Sequence, residues 1–338
     1  MQSLLYVTIL AGATLFWGYI FYKKDYHPQP IKVLLQIFGI GLFAMLPVFA
    51  YKYIYQNYLP IISEFEIFRP LLDHGLLTGF TLFLFNLILL TIILLTVTGL
   101  MTVIFTLFRK DTALNIRSAL KKIDELELIP VSVMIGLLIY LEKISEGIFN
   151  VPIVQGVIGS ILFLTIIEEY IKHLIVRFVD DKKLRDIDDA ITLSVMVGLA
   201  FATSETLIYA ISAGDLSLII YRSFLTLPIH LVASGIFGYY YGLAHFAKPI
   251  TAVTGGDQTY KVPTGLIGKV FKFKRSQLYE EEKMSKGLLL ATLFHGTANI
   301  LFELNLAFIV VPIIVLGLVL LSYMYKEGHT MYRLLRAH

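Results

Sequence analysis

Cysteine is absent from all 338 residues, which removes disulfides, iron–sulfur clusters and thiolate nucleophiles at once. Charge is scarce: charged residues make up 16% of the chain against 57% hydrophobic, and mean hydropathy is +0.76. Those values lie far outside the soluble globular range. Ten-residue segments of alternating polarity, which a transmembrane barrel needs, are missing. So are an HExxH pair, an evident Ser/His/Asp triad, internal repeats and low-complexity tracts. The net charge of +3 is small and its basic residues sit in loops, so it bears on membrane topology and argues against a nucleic-acid partner.

What is present is a succession of long apolar runs, and the fold class they imply is an all-α polytopic membrane protein. Ser3 to Tyr22 forms a first span followed by Lys23 and Lys24, a retained anchor with its N-terminus outside and the next loop in the cytoplasm. Val33 to Tyr51 returns outward, and Asn57 to Asp73 is an external segment. Gly75 to Phe108 crosses inward, Asp111 to Leu128 is a cytoplasmic connector, and Pro130 to Tyr140 begins a short outward span. Val151 to Val179 comes back, Ala190 to Ile211 goes out and Leu216 to Gly242 comes in. Residues 243–286 form a large, Lys-rich internal loop whose GLIGKVFKFKR strip suits anionic headgroups. Gly287 to Phe302 and Leu306 to Tyr325 make a final hairpin around Glu303–Asn305. The sum is about nine transmembrane helices with a cytoplasmic C-terminus. Residues 1–129 read as N-terminal membrane helices with a connector, and 130–338 as a helix bundle carrying the chemistry.

Within this frame the informative residues are polar ones at membrane depth, where an ionisable side chain costs at least about 2.5–3.5 kcal/mol on insertion scales. ILFLTIIEEYIKHLIVRFV carries Glu168 and Glu169, with Lys172 one helical turn after the first and His173 one turn after the second as candidate partners. LAFATSETLIYA carries Glu205, FLTLPIHLVASGIFG carries His230, and LLLATLFHGTANILF carries His295 and Asn299. Counted from the cytoplasmic end of each helix at about 1.5 Å per residue, all four positions fall within roughly 14–23 Å of that side. Singly, each has a structural reading: Glu205 paired with Arg222 or Tyr209, His295 and Asn299 bonding across a small-residue interface, His173 and His245 at the membrane surface. Four helices sharing one depth point instead to one buried site.

The set EEYIK (Glu168, Glu169, Lys172), FATSE (Phe201, Glu205), HLVASGIFG (His230, Gly238) and HGTAN (His295, Asn299), together with FYKKDYHPQP after the first span, resembles the PrsW family of intramembrane proteases. That family is related to the CAAX-processing and bacteriocin-processing membrane endopeptidases. The likeness rests on about Glu168 to Asn299 plus residues 21–30. It departs from the wider group at Glu205, where the CAAX endopeptidases carry a histidine.

The resemblance implies an endopeptidase that cuts membrane-anchored protein substrates within the bilayer of the cell (plasma) membrane. It further implies Glu168 as general base on a water, Glu169 and Glu205 sharing the proton, and His295 with Asn299 donating to the oxyanion. His230 would orient water or substrate, Lys172 would fix the carboxylate pair, and Phe201 and Gly238 would support the packing. The expectation is a site without a cofactor. The alternative is a zinc-dependent protease with Glu205, His230 and His295 as candidate ligands. A reading of another class is a proton-coupled transporter or channel, or a non-catalytic scaffold.

Overall fold

A computed structural model describes residues 2–46, 48, 49, 152–179, 184–253, 259–261 and 272–337. The chain divides into two compact units, residues 1–43 with 127–338 and residues 44–126. The second lies almost wholly outside the described residues. Outside them too fall the expected external segment at 57–73, the long run at 75–108, the connector at 111–128 and the short span from Pro130. The first two helices therefore belong with the C-terminal bundle.

The described part of that bundle is helical apart from one short ribbon. In chain order it comprises α1 (Gln2–Lys24), α2 (Ile31–Leu42), α3 (Pro152–Val179), α4 (Ile187–Ala213), α5 (Leu216–Tyr221), a π-helical turn (Arg222–Thr226), α6 (Leu227–His245), α7 (Ala247–Val253), β1 (Thr259–Lys261), β2 (Lys272–Lys274), α8 (Arg275–Glu303) and α9 (Ala307–Ala337). Among the described residues, four segments are long and apolar enough to cross a membrane: Leu4–Lys24, Ile187–Ala213, Leu216–His245 and Ala307–Leu335.

The described parts of the expected internal loop at 243–286 are helix and strand. The preceding helix runs on to His245, α7 follows, β1 and β2 pair antiparallel, and α8 starts at Arg275. The Glu- and Lys-rich stretch after Arg275 is made of good helix formers, so the helix begins well before the apolar run.

Helix ends are set by local chemistry. Asp186 caps α4 by accepting from the Asp189 backbone N–H at 2.8 Å, and Asp188 and Asp189 occupy the first turn, where the helix dipole favours acids. Gly214, at φ +63°, closes the same helix in the left-handed conformation that a glycine adopts without strain. Between α8 and α9 the left-handed residue is Asn305, and the paired bonds from Leu306 N–H to Leu301 and from Asn305 N–H to Phe302 form a Schellman turn.

The core is the α4–α6 pair, where small residues let backbones approach. A Cβ on Gly198 would stand 2.8 Å from the His230 carbonyl oxygen, and one on Gly238 would stand 2.6 Å from that of Ala190. Around this pair α4 packs on α1 and α2, and α6 packs on α8 and α9. At the end of the bundle where α1 stops and α4 starts, Asp25 accepts from Thr192 Oγ1 at 2.8 Å and lies in a cluster with Asp186. Burial pushes both carboxyls above the ordinary aspartate range.

Candidate active site

Helix α3 supplies Glu168, Glu169 and Lys172, all of them 3% exposed or less. The Lys172 ammonium donates to Glu169 Oε1 at 2.5 Å and to His230 Nδ1 on α6 at 2.8 Å. This corrects the expected register. Lys172 bridges Glu169 at i,i+3 rather than Glu168 at i,i+4, because it must also reach the histidine on the neighbouring helix. His173 is enclosed by protein. Its ring is buried edge-on against Phe237 and near Tyr170 and Tyr241, with centroids 4.5–6.0 Å apart.

Because Nδ1 of His230 accepts from an ammonium, the ring's proton is on Nε2, which donates to Glu205 Oε2 at 3.1 Å. Glu205 is in turn held by Arg222, whose Nη2 lies 2.7 Å from the same oxygen. Arg222 Nε reaches Thr206 Oγ1 at 3.3 Å, and its guanidinium covers the Tyr209 ring at 4.4 Å. The local cause is a π-turn. Pro228 cannot donate to the residue one turn back, and the Leu227 N–H bonds to the Arg222 carbonyl instead. That wider turn presents Arg222 to Glu205.

Helix α8 completes the cluster. His295 Nδ1 donates to Glu169 Oε1 at 2.7 Å, Asn299 Nδ2 donates to His295 Nε2 at 3.1 Å, and Glu168 Oε2 stands 3.8 Å from that same Nε2. The His230 and His295 rings meet edge to face at 4.3 Å. Phe201 lies beneath, its ring 4.6 Å from Lys172 Nζ and 5.5 Å from the His230 ring. The result is one unbroken polar chain: Arg222, Glu205, His230, Lys172, Glu169, His295, Asn299, with Glu168 beside His295. Of the residues expected at the site, Glu168, Glu169, Lys172, Phe201, Glu205, His230, His295 and Asn299 come together. Gly238 lies elsewhere on α6, against Ala190 and Ser194. The Glu205–Arg222 pairing weighed from the sequence as a structural reading is present, and it adds Arg222 to the site residues expected there. Its signal is a lone arginine in a largely apolar run, six residues before Pro228.

Among the described residues, the grouping here with metal-ligand spacing is Glu168, His230 and His295, with donor atoms within 4.8 Å of one another. Glu205, an expected ligand, is engaged by Arg222 instead. His295 carries a carboxylate on Nδ1, as a metal-bound imidazole does, but its Nε2 accepts from Asn299. His230 is engaged at both nitrogens. One nitrogen accepts from Lys172 and the other donates to Glu205, so ligation requires breaking one of these bonds. As arranged, the residues do not fit a three-ligand metal centre.

Fold and site together define a helical membrane protein with a buried acid–imidazole cluster drawn from separate helices. Residues 128–257 match the family model described as "PrsW family intramembrane metalloprotease". A stretch of 105 residues is 32% identical to "Protease PrsW" of Geobacillus kaustophilus (strain HTA426), covering 30% of this chain and 44% of that relative. The chain thus spans under half of that relative's length. No solved structure matches. The likeness to the PrsW family read from the motifs is therefore shown over a span that holds Glu168, Glu169, Lys172, Phe201, Glu205, His230 and Gly238. His295 and Asn299 lie beyond the matched span and are joined to it by their contacts with Glu169 and with each other.

Proposed function

We propose that this protein is an intramembrane endopeptidase that hydrolyses a peptide bond of membrane-anchored protein substrates through a water activated by glutamate, in the cell membrane. The observation that carries the reading is the position of Glu168, a buried carboxylate whose Oε2 stands 3.8 Å from His295 Nε2 within the acid–imidazole cluster. Glu169 is engaged by Lys172 and His295, and Glu205 by Arg222 and His230. A separation of 3.8 Å is too long for a direct hydrogen bond and suits a bridging water.

In this reaction Glu168 takes a proton from water as the oxygen attacks the scissile carbonyl carbon. The carbonyl becomes an oxyanion that accepts from the second N–H of the Asn299 amide, whose first N–H is held by His295 Nε2. The C–N bond then breaks as Glu168 returns the proton to the leaving amine, giving a carboxyl and an amine product. Glu169 and Lys172 hold the His295 and His230 rings in orientation, and Arg222 holds Glu205 against His230. Aligned donors of this kind are worth about 2.7–4 kcal/mol each in other hydrolases. Both His230 nitrogens are already engaged, which supports a reaction that needs no metal despite the family's description.

Co-expression with candidate membrane-anchored substrates tests the proposal. Intact protein yields a truncated product and Glu168→Ala yields none while inserting normally. A chelator that abolishes cleavage, reversed by zinc, replaces the water-only reading with a metalloprotease. Ion flux in liposomes abolished by Glu168→Gln, without any cleavage, replaces the protease with a proton-coupled transporter.

A further inference from the structure

A second cluster lies away from the candidate active site, at the end of the bundle where α1 stops, α4 starts and α9 passes. Along α4 its Asp188 is about 25 Å from Glu205 at 1.5 Å per residue. Asp188 is fully buried, and among the described residues neither of its carboxylate oxygens has a hydrogen-bond partner. Nδ1 of His329, on α9, is also buried and without one, and it stands 3.9 Å from Asp188 Oδ2. Two facing polar groups left unbonded in the interior are costly unless something satisfies both. Their approach is built into the packing, since a Cβ on Gly328 would fall 2.6 Å from Asp188 Oδ1.

His27, in the loop after α1, completes the set: it, Asp188 and His329 offer donor atoms within 4.8 Å of one another. Asp186 Oδ2 lies 3.3 Å from His27 Nδ1, the carboxylate–imidazole pairing that leaves Nε2 as a lone-pair donor. The Tyr26 ring stacks on His329 at 4.1 Å and holds its plane. The His27 side chain is 42% exposed, which opens the cluster to solvent and to a hydrated ion. The surroundings favour a cation. Asp25, Asp186, Asp188 and Asp189 gather here, and Arg185 makes its paired bonds to Asp189 (2.9 and 2.8 Å) and donates to the His27 carbonyl rather than to Asp188.

We infer that His27, Asp188 and His329 form a divalent transition-metal site of the zinc class, separate from the candidate active site, that clamps the loop after α1 and the start of α4 to α9. Two imidazoles and one carboxylate are a donor set for zinc, cobalt or nickel, whereas calcium and magnesium take oxygen ligands throughout. Ligands at about 2.0–2.2 Å from zinc stand a little over 3 Å apart, so a small side-chain movement closes the observed 3.9 Å. The site ties together three segments distant in sequence.

The test uses the full chain, purified in detergent without a histidine tag and stripped of metal, and titrated with Co2+ alone. The expected result is a visible d–d absorption of a four- or five-coordinate nitrogen–oxygen site. Affinity should fall more than tenfold in His27→Ala and in His329→Gln, with gel-filtration profiles unchanged. His295→Ala, which alters only the candidate active site, should keep the band. Because Asp188→Asn places an amide in a buried position and can impair folding, the decision rests on the half-exposed His27. Equal Co2+ affinity in intact protein and His27→Ala overturns the inference, as does loss of the band in His295→Ala with retention in His329→Gln.

Discussion

Lys172 and Glu169 form a fully buried ion pair at 2.5 Å, and the same ammonium donates to His230 at 2.8 Å. One lysine thus couples an acid of α3 to an imidazole of α6. Removing it leaves Glu169 in the interior with His295 as its partner. Lys172→Met should therefore destabilise the protein by about 3–5 kcal/mol, the usual cost of breaking a buried pair on one side. Thermal unfolding in detergent measures this, and Lys172→Met with Glu169→Gln should recover much of the loss. A double variant no more stable than the single would show that the pair is not the source of the effect.

Glu168→Gln keeps the shape of the side chain and removes its basicity. If it is the general base, cleavage should fall by about 10²–10⁴-fold while the unfolding temperature stays within a degree or two of the intact protein. A stable Glu168→Gln that cleaves normally moves the base role elsewhere.

Arg222 is held by three different features: Glu205 at 2.7 Å, Thr206 at 3.3 Å and the face of Tyr209. A lysine cannot reproduce the planar fork or the ring contact. Arg222→Lys should therefore behave more like Arg222→Ala than like the intact protein, each losing about 1–3 kcal/mol of stability together with most activity. Activity in Arg222→Lys near that of the intact protein would mean that charge alone suffices.

Gly198 faces the α6 backbone at the level of His230, where an added Cβ would lie 2.8 Å from the His230 carbonyl oxygen and 2.3 Å from Ser234 Oγ. Gly198→Ala should force the helices apart at a cost of about 1–3 kcal/mol and weaken cleavage by displacing His230 from Lys172 and Glu205. Gly12, with open space around its would-be Cβ, is the control: Gly12→Ala should leave both stability and activity unchanged.

Much of this was legible in the chain itself. The acids and imidazoles stand out because their neighbours are apolar, and their depths agree because helical rise is uniform. Arg222 was harder to place. The sequence offered it only as a structural partner of Glu205, and the π-turn before Pro228 is what joins it to the polar chain. Asp188 and His329 gave no signal either, one sitting in an acidic helix start and the other in a basic tail.

By itself, the amino-acid sequence determined the helical membrane class, the four segments that bear the polar residues and the likeness to the PrsW family. These are properties of local hydropathy and spacing. Only the tertiary structure decided that Lys172 takes Glu169 and not Glu168, that both nitrogens of His230 are occupied, and that His27, Asp188 and His329 meet. The reason is physical: i,i+3 and i,i+4 neighbours share one helix face, so the choice between them is made by the side chain that a different helix brings within about 3 Å.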